Sequence, residues 1–298
     1  MVCGFLVVND FRRPIDRRRH ALPLAQNRRM QLELISHTEE ATHRTPILFV
    51  HGAWHGAWCW ENFLPYFAHH GYAAHALSLR GHGTSEGRDH IRWHSAAKDY
   101  VADVAQIVET LDAPPVLVGH SMGGYVVQKY LEQHRAAAGV LLASVPVSGA
   151  LRFAARTLVR HPWTMLMAQL RLNPYLLVGT PELAKEALLS AEISDADLQR
   201  HFARLQQESA RMQVEMLVTK RPRPKKVSTP MLVVAGERDQ VFSVAEEAAT
   251  AEAYGTTVEV VPTAHDMMLE PNWQLVADRM LTWISATVPG TTTARRLP

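Results

Sequence analysis

Three residues of this chain could do chemistry together: Ser121, Asp239 and His265. A serine hydroxyl is a poor nucleophile at neutral pH and attacks a carbonyl only if a base takes its proton during the attack. Histidine is suited to accept that proton and return it to a leaving group. An acid behind the imidazole fixes its tautomer and stabilises the imidazolium that forms. Ser121 stands in Gly119-His120-Ser121-Met122-Gly123, where an apolar run over residues 115–118 feeds a segment, 124–131, with the apolar spacing of a helix. A Gly-x-Ser-x-Gly pentapeptide between strand and helix forms a nucleophile elbow, a turn so sharp that the serine is strained and larger neighbours would collide. Taken alone, the pentapeptide also fits a glycine-rich turn carrying a surface serine.

The elements that must position these residues are four runs read as strands, over 46–50, 115–118, 231–236 and 257–261, the first two of them buried. The first ends in His51-Gly52-Ala53-Trp54. Its Ala53 N–H is a candidate donor to a developing oxyanion, facing the Met122 N–H at the head of the helix after the elbow. The third run is followed by Glu237-Arg238-Asp239 and the fourth by Ala264-His265-Asp266. Serine, acid and histidine therefore each follow the C-terminal end of a strand, the edge at which open parallel sheets bind ligands. Glu237 and Asp266 compete with Asp239 for the acid's role. Glu237 lies closer to the strand end, whereas Asp266 directly follows the histidine and would point away from its Nδ1. Asp239 also suits the cap of a helix starting near Ser243, and His265 is one of 16 histidines.

Across residues 30 to 288 the chain resembles the α/β-hydrolase family. The resemblance is carried by His51-Gly52-Ala53-Trp54, Arg80-Gly81-His82-Gly83-Thr84-Ser85, the elbow, Gly236-Glu237-Arg238-Asp239 and Ala264-His265-Asp266. It implies an α/β fold with a mostly parallel central sheet flanked by helices, an inserted helical cap, and a serine hydrolase without metal or organic cofactor. The family pattern selects Asp239 as the acid. Residues 51–60 look like the methylesterase and hydroxynitrile lyase branch, and Arg80-Gly81-His82-Gly83 looks more like carboxylesterases and monoacylglycerol lipases. The lyases carry a lysine directly after the catalytic histidine. Here that position is Asp266, whose charge would repel a departing cyanide.

The expected organisation is a core over 30–144 and 228–288, a helical cap over 145–227, a disordered extension over 1–29 and a flexible tail over 289–298. The segment around Arg12 to His20 is too polar to pack. Residues 4–8 are apolar but too short for a signal peptide. Residues 30–35 alternate like a first strand, and Met30 is an alternative start. Between 144 and 227 the strand pattern stops, and residues 151–177 and 181–218 have helical spacing, with Pro181 at a helix start. Trp54, Met165 and Met212 are the expected substrate-binding residues, within a flexible lining of methionines and leucines. Trp58 and Trp60 fit either a pocket wall or the core, and His51 and His82 read as loop structure.

Composition fits a soluble folded enzyme: 47% hydrophobic residues, 20% charged and a net charge of +2. No 18-residue apolar run is present, so no membrane insertion is expected. The basic run from Lys220 to Lys226 is broken by prolines and lacks interleaved aromatics, which argues against nucleic acid and for a solvated linker. Histidines at 51, 55, 69, 70 and 75 lack the carboxylate partners of a metal site. Two cysteines, Cys3 and Cys59, fit a reducing, cytoplasmic setting rather than a disulfide framework. The expected activity is hydrolysis of carboxylic esters with small to medium apolar acyl groups through an acyl-enzyme on Ser121. A carbon–carbon bond hydrolase or thioesterase on the same triad, and a small-molecule receptor reusing the scaffold, are the alternatives. An apolar cap face would allow a homo-oligomer.

Overall fold

The computed structural model describes residues 29–39, 41–91 and 96–288. Of the extension expected over 1–29, only Arg29 is described, and it pairs with Glu109 at 3.0 Å; residues 1–28 and the tail over 289–298 lie outside the described residues. Seven strands form one sheet: β1 (Leu34–His37), β2 (Ile47–Val50), β3 (Ala74–Leu77), β4 (Val116–His120), β5 (Ala138–Leu142), β6 (Met231–Gly236) and β7 (Val258–Val261), in the order β1-β3-β2-β4-β5-β6-β7. Only β1 runs antiparallel to its neighbour. Strands β2, β4, β5 and β6 are buried along their whole length. Their unbroken apolar runs are those of parallel strands covered on both faces.

The covering helices of this core are α1 (Phe63–His69), α2 (Ala97–Val108), α3 (Met122–Leu131), α9 (Val244–Ala253) and α10 (Trp273–Thr287). Between β5 and β6 lie α4 (Leu151–Arg160), α5 (Pro162–Leu170), α6 (Pro181–Leu188), α7 (Asp195–Phe202) and α8 (Ala210–Val214), with no intervening strand among the described residues. Pro181 opens α6 as its spacing suggested, and the Thr180 side chain caps it by accepting from the Leu183 N–H. Ser243 caps α9 reciprocally with Glu246.

The first strand starts four residues later than its alternation suggests. The Met30 N–H donates to Gln106 Oε1 and the Glu33 N–H to Ser85 Oγ, so this stretch is bonded to α2 and a loop before it can join the ladder. Trp60 and Phe63 resolve as core, ringed around Phe49 with Phe67. Trp58 packs against helix α7, with the Arg204 guanidinium 4.4 Å above its ring and His201 stacked beside it.

Register sets the geometry that follows. Pairing of Val50 with Gly119 places the loop after β2 beside the elbow after β4. Pairing of Gly236 with Val261 does the same for the turns after β6 and β7.

Candidate active site

Ser121 sits between β4 and α3 with φ 51° and ψ −117°. This left-handed backbone costs a non-glycine residue of order 1–3 kcal/mol and persists only where its surroundings enforce it. Here they do. A Cβ on Gly119 would lie 2.5 Å from the Gly123 carbonyl oxygen, and one on Gly123 would lie 2.2 Å from that of Val50. Only glycine allows the elbow to close this tightly against β2.

Three side chains converge at this corner. His265 Nε2 lies 3.0 Å from Ser121 Oγ, and His265 Nδ1 lies 2.8 Å from Asp239 Oδ2. The other Asp239 oxygen accepts from the N–H groups of Val241 and Phe242, at 2.6 and 3.0 Å, which leaves Oδ2 aimed at the imidazole. Glu237 is exposed and Asp266 is engaged elsewhere, so Asp239 alone of the three candidate acids reaches His265 Nδ1. Burial disfavours an imidazolium at His265. The charge and hydrogen bond of Asp239, with Asp266 further off, outweigh it and raise the imidazole above its ordinary value of 6.5. Such a chain can draw a proton from the serine hydroxyl as it attacks an electrophile.

Ala53 and Met122 face the same pocket as Ser121 and His265. Met122 is the first residue of α3, where the N–H has no intrahelical partner and the helix dipole favours negative charge. The peptide groups on either side of Ala53 are pinned by two histidines. His51 Nδ1 donates to the Gly52 carbonyl at 2.8 Å while its Nε2 accepts from the Leu79 N–H at 3.0 Å, and burial keeps this ring neutral. His55 Nδ1 donates to the Ala53 carbonyl at 2.7 Å. Trp54, next in the chain, holds φ 67°.

The pocket encloses about 600 Å³ open to solvent. Its wall beyond the serine is mostly apolar, with Trp54, Phe153, Met165, Leu177, Met216 and Leu217 beside Gln169 and Gln213. Trp54 and Met165, two of the expected substrate-binding residues, are on this wall. Met212 is not. It is fully buried and absent from the pocket wall, whereas Gln213, Met216 and Leu217 line it. Met212 lies one turn before Met216 on the same face of the helical segment, where it is packed into the interior and short of the wall. A second pocket of about 520 Å³ shares Trp54, Phe153, Leu177 and Val241 with the first and is rimmed by Arg156, Arg160 and His161.

Sequence reasoning missed a buried charged cluster under this corner. His55 Nε2 lies 3.0 Å from Asp266 Oδ2, and His120 Nε2 lies 3.6 Å from Asp266 Oδ1, with all three side chains almost wholly buried. The His55 ring and the carboxylate meet closely, without the alignment of a hydrogen bond. Burial alone would raise the Asp266 carboxyl, but His55, then His120 and His265, hold it at about 2. His120 donates to the His265 carbonyl at 3.0 Å and, mainly through burial, is held at about 3 and hence neutral. His120, His265 and Asp266 bring potential ligand atoms within 4.8 Å of one another. Both His265 nitrogens and His120 Nε2 already serve the contacts above.

A family model described as "Alpha/beta hydrolase family" matches residues 47–279. Among curated proteins, the chain is similar to a non-heme chloroperoxidase of Streptomyces lividans, at 38% identity over 109 residues, 34% of this chain and 37% of that one. It is also similar to Methylesterase 9 of Arabidopsis thaliana, at 33% identity over 79 residues, 26% and 30% of the two chains. The chain thus spans about a third of the length of the curated relatives it matches. Among solved structures it resembles a monoacylglycerol lipase of Paleococcus ferrophilus, with TM-score 0.66 and 18% identity over 87% of this chain and 100% of that one. An esterase from Exiguobacterium antarcticum gives TM-score 0.67 and 18% identity over 86% and 96%. At these identities the structural likeness is one of fold.

Proposed function

Since the chain belongs to the α/β hydrolase family, we propose that it is a serine hydrolase cleaving carboxylic esters with small to medium apolar acyl groups. The hydrogen-bonded chain from Ser121 through His265 to Asp239 carries this reading. His265 takes the Ser121 proton as Oγ attacks the ester carbonyl. The resulting oxyanion is held by the N–H groups of Ala53 and Met122, each such donor being worth about 3–4 kcal/mol of barrier. His265 then hands the proton to the departing alcohol, leaving an acyl-Ser121. Water, deprotonated by the same imidazole, attacks the acyl-enzyme and releases the acid. Asp239 keeps the Nδ1 tautomer throughout and steadies the imidazolium.

The apolar pocket wall supports an apolar acyl group over a charged one. Segment 145–227 is the cap in this reading, since α4 and α5 supply Phe153 and Met165 to that wall. Cys59, buried and without a disulfide partner among the described residues, supports a reducing, cytoplasmic setting. Among the described residues no helix is long and apolar enough to cross a membrane.

The test is a p-nitrophenyl ester series from acetate to palmitate on wild type and Ser121→Ala, with acyl-thioester and diketone substrates run beside it. The proposal expects turnover to peak at one chain length and to vanish in the variant. Turnover of the thioester or diketone without any ester would overturn it.

A further inference from the structure

Helices α4 and α5 turn apolar side chains both ways. Phe153 and Met165 face the pocket. On the outside, Leu151, Leu158 and Val159 of α4 are 52%, 52% and 83% exposed, and Trp163, Leu166 and Leu170 of α5 are 75%, 43% and 69% exposed. Positions 151, 158 and 159 form one stripe along α4, and 163, 166 and 170 one along α5, by helical spacing. Six large apolar side chains left exposed on two consecutive helices are more than folding explains.

What covers this patch is narrowed by charge. Residues 151–173 hold Arg152, Arg156, Arg160 and Arg171 and no acidic residue. Arg156 is engaged by Glu246, but the described residues give Arg152, Arg160 and Arg171 no carboxylate partner. Arginines flanking an apolar stripe with a protruding tryptophan have the composition of a surface that lies on an anionic membrane. A second copy fits worse, because two-fold pairing would bring both arginine sets into one small interface. The segment over 1–28 is itself basic overall, with arginines at 12, 13, 17, 18, 19 and 28 against aspartates at 10 and 16, so like charge predominates between it and the patch.

We propose that the outer face of α4 and α5 is an interfacial docking surface for anionic phospholipid bilayers. The helix pair lies on the lipid with Trp163, Leu166 and Leu170 sunk at the headgroup level and the free arginines on anionic headgroups. Among the described residues no helix crosses the bilayer. The same two helices wall the pocket, so docking would set its apolar interior next to the lipid phase. This docking does not depend on what Ser121 does and is read separately from activity.

The test is co-sedimentation of the full chain with vesicles of phosphatidylcholine alone and of phosphatidylcholine with 30% phosphatidylglycerol. Wild type should bind the anionic vesicles, and 0.5 M salt should weaken that binding. Trp163→Ser with Leu170→Ser, and separately Arg152→Glu with Arg171→Glu, should each weaken it by about tenfold. Turnover of soluble p-nitrophenyl butyrate should stay within twofold of wild type, since none of the four residues faces the pocket. Absence of vesicle binding, or binding that neither pair of substitutions weakens, would overturn the proposal. So would a wild-type dimer on size exclusion that the Trp163 and Leu170 substitutions dissociate, because the face would then belong to a second copy.

Discussion

Ser121 Oγ and His265 Nε2 lie 3.0 Å apart although 144 residues separate them. Strand pairing delivers this closeness: the elbow and the loop carrying His265 both leave the same edge of the sheet, and the His265 carbonyl accepts a hydrogen bond from His120, the residue before the serine. Nucleophile and base are thus fastened to each other by backbone as well as by side chain.

Asp239→Asn should leave the fold intact and lower kcat by about 10³- to 10⁴-fold. The amide oxygen can still accept from Val241 and Phe242, but its NH₂ then faces Nδ1 and enforces the wrong imidazole tautomer. Steady-state kinetics on p-nitrophenyl butyrate, with circular dichroism as the fold control, measures this.

The acidic limb of kcat/KM should fall above pH 6.5. His265 must be neutral to act as base, and the buried Asp239 carboxylate holds its imidazole above that value. Activity is therefore lost as pH falls through the raised value and regained above it. A limb below pH 6.5 in wild type would contradict the assignment.

Asp266→Asn should lower kcat by about tenfold with KM within twofold, because the loop that presents Ala53 is held through His55 and a slightly misplaced donor is costly. The acidic limb should also move to lower pH, since Asp266 helps to raise His265. A pH–rate profile of the variant reads both effects.

Glu247 is buried with neither carboxyl oxygen hydrogen-bonded, and burial, then Asp239 and Glu246, raises its carboxyl well above the ordinary range. A folded value above the unfolded one means that its protonated form supports the fold at low pH and that stability drops as pH rises through the folded value. Glu247→Gln should therefore raise Tm at pH 8 by about 2–4 °C and leave it nearly unchanged at pH 4. Differential scanning calorimetry at the two pH values decides it.

The central strands were legible because parallel strands buried on both faces leave unbroken apolar runs, as before Ser121 and Asp239, whereas His265 follows the partly exposed edge strand β7, whose run Glu259 interrupts. Edge strand β1 was harder: Glu33 and its neighbours are bonded to Ser85 and Gln106, so alternation there did not mark the ladder. Met212 packs into the interior one turn before Met216, and how far along a helix a pocket reaches is not encoded in residue type. The pair of His55 and Asp266 was invisible for a different reason. Their partnership spans 211 positions and exists only after β2 and β7 take their places in one sheet. An aspartate beside the base was read for its distance from Nδ1, whereas its role is toward the opposite loop.

The most direct test of the account is mass spectrometry of the protein quenched during turnover of p-nitrophenyl butyrate, with a pre-steady-state trace of p-nitrophenol release. The account predicts a burst equal to one equivalent of active sites and a butyryl group on the peptide containing Ser121, both absent in Ser121→Ala. A butyryl group on another residue, or full turnover by Ser121→Ala, would contradict it.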